Sequence, residues 1–262
     1  MIKRLFIMFS ALVFLLSGCG PKPQEEDIYH SIIQRDKLIV GVKYDAKPFG
    51  FIDKDGKLKG FDVDLARELA KEILGDRNKV EFKQVTPSTR IQAITSGDVD
   101  MVIATMTITP QRKAIVDFSD SYYTAGQAII VPKDSKITSA NDLNNKNVIV
   151  ILGTTGEKNI RYFAPSAVLQ GYMNHSDAFD SFKRKMADAL TTDDTLLVGF
   201  SMDNPGYKIL PKRLTSEPYG IAFKKTEGTT ALKNNVNRIL TNLRYKGVLQ
   251  DLKEKWHLSQ SI

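Results

Sequence analysis

The chain predicts an α/β fold built on two sheets. Short apolar runs rich in β-branched residues alternate with amphipathic helical stretches. That alternation starts afresh after Asp120, and 262 residues suffice for one large domain or two small ones. With 42% hydrophobic and 26% charged residues the composition is that of an ordered globule, which excludes a disordered chain and a disulfide miniprotein. The net charge of +7 suits an anionic ligand or surface, and equally a solvated basic face.

The N-terminus carries a secretory signal. Lys3 and Arg4 precede the apolar run Leu5 to Leu16, and Leu16-Ser17-Gly18-Cys19 follows as a small-residue cleavage site. The run is twelve residues long where a membrane span needs about twenty. Residues 1–18 are therefore expected to be removed. Cys19 is the single cysteine, so no disulfide can form within the chain and no cysteine cluster can bind zinc. From Pro21 to about Gln34 the chain is polar and lacks sustained periodicity, which reads as a tether spanning 19–34, with the fold proper starting near Lys37.

Leu38-Ile39-Val40-Gly41-Val42 has the pattern of a buried parallel strand. In the stretch from Gly60 to Gly75, apolar positions 65, 66, 69, 70 and 73 form one helical stripe. Asp62 reads as the cap of that helix, Asp64 as a partner of its positive end, and Gly75 as its stop. A metal site on these two acids is disfavoured, because no histidine or third acid stands nearby. Val80 to Val85 alternates as a strand, a helix runs from about Thr89 to Ser96, and Met101 to Ala104 is a second buried strand. Ala128 to Val131 and Asn147 to Leu152 begin the second sheet. A faint echo supports two halves: a helix, Asp100, an apolar strand and Thr105-Met106-Thr107 recur as a helix, Asp188 and Ala189-Leu190-Thr191-Thr192. Tyr219 to Phe223 reads as a further strand, and Thr230 to Trp256 as closing helices.

Catalytic motifs are absent from this pattern. His30, His175 and His257 are the only histidines, and their surroundings supply neither a helical zinc pair nor a positioned base. His175-Ser176-Asp177 holds the residue types of a hydrolase triad, but neighbours in sequence point apart, so it reads as a loop. Gly153-Thr154-Thr155-Gly156 follows a strand and precedes a helix, so its amides suit a carboxylate or serve simply as a cap. Thr105 to Arg112 leaves the carboxyl end of a buried strand, where open α/β sheets bind ligands. There it offers three threonines and a guanidinium fork.

The segments Gly60 to Ala66, Thr105 to Arg112, Val116 to Tyr123, Leu152 to Gly156 and Glu217 to Ala222 resemble, in order, those of the polar amino-acid-binding proteins of ABC importers. The place of Cys19 after Leu-Ser-Gly resembles the lipobox of bacterial lipoproteins, which implies a fatty-acyl (palmitate) anchor on that residue. The resemblance implies a two-lobed periplasmic-binding-protein-like fold of type II, each lobe a mixed, mostly parallel sheet flanked by helices. Lobe 1 would comprise 35–123 plus 221–262 and lobe 2 124–220, with hinges near 124–127 and 216–220. It further implies that Arg112 pairs with the α-carboxylate of a free amino acid, that Thr107, Thr154 and Thr155 add donors, and that Asp193 with Thr105 holds the α-ammonium. Arg90 and Lys43 resemble the members that bind glutamate or aspartate, with glutamine the third candidate. Two cations there would disfavour basic side chains.

Three positions depart from the family pattern. Ala46 stands where many members carry a stacking aromatic, Lys185 where a glycine ends a helix, and Gly156 where some have a polar contact. Asp194 therefore stays a rival to Asp193 for the ammonium. The implied protein is a monomeric, lipid-anchored receptor on the outer face of the cytoplasmic membrane, working with permease subunits, without cofactor, metal or nucleic acid. The alternatives are an enzyme on the same fold, resembling cyclohexadienyl dehydratase, and a sensory or adhesive surface protein using the same pocket.

Overall fold

The computed structural model describes residues 27–258. The expected signal 1–18, the lipidation site Cys19 and the tether as far as residue 26 lie outside the described residues. The fold starts earlier than expected, because Ile28–Arg35 form helix α1. The Asp27 carboxylate accepts the Tyr29 N–H at 3.0 Å and caps that helix, and fully buried Ile32 packs into the core. One buried apolar side chain in eight residues is too weak a pattern to stand out in sequence.

Strand β1 (Leu38–Val42) leads into a small antiparallel meander of β2 (Asp45–Ala46), β3 (Gly50–Ile52) and β4 (Leu58–Lys59). Helix α2 (Phe61–Leu74), β5 (Val80–Gln84), α3 (Arg90–Thr95), β6 (Met101–Val102), α4 (Pro110–Lys113) and β7 (Val116–Phe118) follow. The chain then leaves through β8 (Tyr123–Ala125). The second half contains β9 (Gln127–Pro132), β10 (Asn147–Ile151), α5 (Thr155–Phe163), β11 (Val168–Tyr172), α6 (His175–Lys183), β12 (Ala189–Asp193), α7 (Asp194–Asp203) and β13 (Tyr207–Ile209). It returns through β14 (Glu217–Tyr219) to β15 (Ala222–Lys224), α8 (Thr230–Tyr245) and α9 (Val248–Lys255).

One sheet has the order β5-β1-β6-β15-β7 and the other β11-β10-β12-β9-β13. In each, four strands run the same way and one, β15 in the first and β9 in the second, runs against them, so each is mixed and mostly parallel as expected. Apolar clusters lie on both faces of both sheets. Leu38, Val40 and Val42 of β1 pack with α2, α8 and α9, while Ile39 faces the opposite cluster around Val85 and Ile94. The crossing strands β8 and β14 pair antiparallel, with Tyr123 opposite Tyr219.

The internal echo has a physical counterpart. Asp100 and Asp188 each stand before the third strand of their sheet. Asp100 bonds both polar groups of the Ile39 backbone, at 2.7 and 2.9 Å, and Asp188 does the same to Asn147, at 2.8 and 2.9 Å. Each acid locks the parallel register of the neighbouring strand.

Three expectations are corrected. The stretch 219–223 is two strands, divided at Gly220 and Ile221, because β14 belongs to the crossing ladder and β15 to the first sheet. His175-Ser176-Asp177 is the first turn of α6, with Asn174 as its cap, so neighbouring turn-forming residues here open a helix. Asp62 does not cap α2. Its helix begins at Phe61 after Gly60, and the Asp62 carboxylate turns inward, whereas Asp64 binds Lys255 at 2.7 Å and Trp256 Nε1 at 2.9 Å.

Gly60 adopts φ 137° and ψ 172°, a region open essentially to glycine, and a Cβ there would lie 2.0 Å from the Phe49 carbonyl oxygen. Gly60→Ala is therefore expected to lower the unfolding free energy by about 2–4 kcal/mol in chemical denaturation. A loss below about 0.5 kcal/mol would show that the close approach relaxes freely.

Candidate ligand-binding cleft

The carboxyl ends of β1 and β6 place Lys43 and Thr105 side by side, and Lys43 Nζ donates to Thr105 Oγ1 at 2.6 Å. Both are buried. Arg90, the first residue of α3, is also buried and donates to the carbonyls of Ala104 at 2.9 Å and Thr105 at 3.4 Å. This grip holds Thr105 at φ 46°, an unusual conformation for a β-branched residue. The Thr105 N–H donates to Asp62 Oδ2 at 3.2 Å, and Tyr122 donates its hydroxyl to Asp62 Oδ1 at 3.0 Å.

Arg112 projects from α4 and donates to the Thr107 carbonyl at 2.8 Å. Its other nitrogen reaches the Gly153 carbonyl of the second lobe at 3.1 Å, and Arg90 approaches the same oxygen at 3.5 Å. Two guanidinium groups from one wall thus converge on one carbonyl of the other. Thr107 is buried and forms an isolated bridge with Tyr219.

From the second lobe, Thr154 caps α5, so its hydroxyl is committed to Ile151 and to the Glu157 N–H. Thr155 donates to Glu217 Oε2 at 2.8 Å, and Thr215 and Asn159 bind the other Glu217 oxygen. Asp193 ends β12 and accepts a short hydrogen bond from the Tyr219 hydroxyl. Its rival Asp194 is occupied elsewhere, paired with Arg213 and accepting the N–H groups of Gly126 and Thr195. Asp194 thus anchors the start of β9 and α7, and Asp193 is the acid beside the other site residues. A cavity of about 680 Å³ opens beside this cluster, with Ile91, Thr109 and Arg112 on one wall and Gly153, Thr155 and Asn159 on the other.

Burial dominates the ionisation of the site. It lowers Lys43 to about 8, with the Arg90 charge adding to the effect and Asp193, Asp45 and Asp62 opposing it. It lowers Arg90 to about 9, with Arg112 contributing. Asp193 is raised to about 6, partly offset by the Tyr219 hydrogen bond. Asp62 rises to about 7 despite the Tyr122 hydroxyl and the Lys43 charge. The His175 imidazole is fully buried and held well below its ordinary value by burial and then by Lys43 and Arg90, so it is neutral. Among the described residues no group of histidine, cysteine and acids could hold a metal ion.

All eight residues picked out in sequence, Lys43, Arg90, Thr105, Thr107, Arg112, Thr154, Thr155 and Asp193, thus fall on the facing ends of the two sheets. Sequence reading missed Asp62, Tyr122, Tyr219 and Glu217, which orient these groups. A signal existed for all four, since Asp62, Tyr122, Glu217 and Tyr219 stand in the segments that carried the resemblance.

Oppositely charged groups gathered at the seam of two α/β lobes define a bilobal solute receptor. Residues 38–259 match the model of the bacterial extracellular solute-binding proteins, family 3, and the chain belongs to that family. It is 41% identical over 254 residues to the ABC transporter glutamine-binding protein GlnH of Bacillus subtilis (strain 168), covering 93% of this chain and 92% of that one. It is 48% identical over 196 residues to a glutamine-binding protein of Geobacillus stearothermophilus, covering 74% and 75%. Among solved structures it is similar to an ancestral arginine-binding protein bound to glutamine, with a TM-score of 0.80, 41% identity, and 86% of this chain and 99% of that one covered. The expected fold class is the one found, and the family is one of binding proteins rather than enzymes.

A buried carboxyl raised from 3.8 to about 7 binds a proton in the folded chain that the unfolded chain releases. Its stabilising contribution is complete below the lower value and lost as pH rises through the higher one. Asp62→Asn should therefore flatten the decline of unfolding free energy between those two values, as measured by urea denaturation at successive pH. Parallel curves for parent and variant would place that titration on another group.

Proposed function

We propose that the protein is the receptor of an ABC amino-acid importer, held by a lipid on Cys19 at the outer face of the cytoplasmic membrane, and that glutamine is its ligand. The observation that carries this is the opposition of Arg112 on one lobe to Asp193 on the other, a guanidinium fork for an α-carboxylate facing an acid for an α-ammonium. Lys43 and Arg90 then remain for the side chain. Asp62 lies close enough to oppose the Lys43 charge, so this end of the pocket is not purely cationic and suits a carboxamide oxygen accepting from Lys43. The glutamine-binding relatives support the same choice.

Glutamate or aspartate is the second reading. It is favoured by the mutual destabilisation of Lys43 and Arg90, which a side-chain carboxylate would relieve. The crossing ladder of β8 and β14 serves as the hinge, and contacts from both lobes make the closed state the one that ligand stabilises.

Calorimetry against all twenty amino acids tests the reading. Glutamine is expected near micromolar affinity, about −8 kcal/mol, and arginine, lysine and histidine are expected not to bind. Affinity should fall as pH drops below about 6, where Asp193 takes up a proton. Arg112→Ala should weaken every ligand at least 100-fold, whereas Lys43→Met should leave alanine binding unchanged and reduce the preference for glutamine about tenfold. Tight binding of arginine, or equal losses for all ligands in both variants, would overturn the assignment.

A further inference from the structure

The first turn of α6 is completed by residues from both lobes. Within its own lobe, the Asn174 side chain accepts the Asp177 N–H at 2.8 Å, and the Asn174 carbonyl takes that of Ala178 at 3.4 Å. The N–H groups of His175 and Ser176, which have no partner within the helix, point to Asp45 Oδ2 of the other lobe, at 2.6 and 3.2 Å. The Asp45 side chain is only 13% exposed, so the contact is shielded from solvent. A carboxylate at the positive end of a nine-residue helix is a favourable charge-assisted contact.

The neighbouring residues extend the contact. Lys47 Nζ meets Asp203 Oδ2, at the end of α7, at 2.8 Å. Gly199 of α7 lies so close beneath that a Cβ there would stand 2.6 Å from the Lys47 carbonyl oxygen. Residues 45–47 of lobe 1 therefore seat on two helices of lobe 2, two residues along the chain from Lys43. Neither contact needs a ligand atom.

We infer that Asp45 is a positioning residue that latches the closed receptor, by supplying from one lobe the acceptor for the unpaired amides of a helix in the other. This rests on the reading that ligand is held between the lobes. Asp45 touches main-chain groups of α6, so it governs how long the lobes stay shut and leaves the choice of side chain to the residues around Lys43. The amides bind water when the lobes part, and the closed state gains the difference.

The test combines Asp45→Ala and Asp45→Asn with a helix-side pair, His175→Ala and His175→Pro. Asn174 already has the extended backbone that a following proline requires, and the first helical position accepts proline readily. Comparing proline with alanine at 175 therefore removes one N–H donor in a matched background. With whichever amino acid binds in the calorimetric panel, Asp45→Ala is expected to raise the dissociation rate about tenfold, with the association rate within about twofold and the order of ligand preference unchanged. Asp45→Asn, which keeps an acceptor, should have a smaller effect.

The alanine-to-proline change at 175 should speed dissociation when Asp45 is present and have no effect in Asp45→Ala. An unchanged dissociation rate, an altered ligand preference, or an equal effect of proline in both backgrounds would overturn the inference. If no amino acid binds, the proposed function fails, and the latch is still read from small-angle scattering of the ligand-free protein. There Asp45→Ala should increase the radius of gyration, and an unchanged radius would count against the latch.

Discussion

The structure depends on bringing like charges together inside a low-dielectric seam. Lys43 and Arg90 are buried within one another's field, and Arg112 adds a third positive charge at the edge. Isolated, such groups would destabilise the wall they share or lose their protons. They stay because each finds acceptors: Thr105 for Lys43, the carbonyls of Ala104 and Thr105 for Arg90, and those of Thr107 and Gly153 for Arg112. The main chain around residues 104–107 is shaped by that demand, down to the left-handed Thr105. Acids on both sides, Asp62 below and Asp193 opposite, complete the balance.

The second lobe contributes mainly rigid acceptors and one acid, and most of its polar groups are already satisfied internally. Glu217 gathers Thr155, Thr215 and Asn159, Gln127 bonds the Gly156 carbonyl and Thr191, and Asp194 holds Arg213. These networks lie where the crossing strands enter and leave the lobe. They fix the base of the cleft, which would let the proposed closure move whole walls and leave local geometry intact. Such division between a charged, strained wall and a hydrogen-bonded one suits a receptor that must release what it captures.

Much of this was legible from the residues because local chemistry agreed with the global fold. The stripe of Leu65, Ala66, Leu69 and Ala70 is buried as its spacing required, Gly75 ends α2 at φ 76°, and the Gly-Thr turn opens α5. What escaped reading depends on contacts remote in sequence. Asp62 has the position of a helix cap, yet its partners are Tyr122 and Thr105, some 60 and 43 residues away. Asp45 gives no local signal at all, since its acceptor role belongs to a helix 130 residues on. Helix α1 was hidden for the opposite reason: its local pattern is thin, and its stability comes from Ile32 docking on a core assembled much later in the chain.

That early helix sets how far from a membrane the proposed lipid on Cys19 would let the protein stand. Helix α1 is capped by Asp27, and only eight peptide steps separate that residue from Cys19. Eight residues at full stretch reach about 28 Å. A protein fastened through a lipid on Cys19, as proposed, would stay within that distance of the membrane, so its search for a permease would run along a surface instead of through a volume.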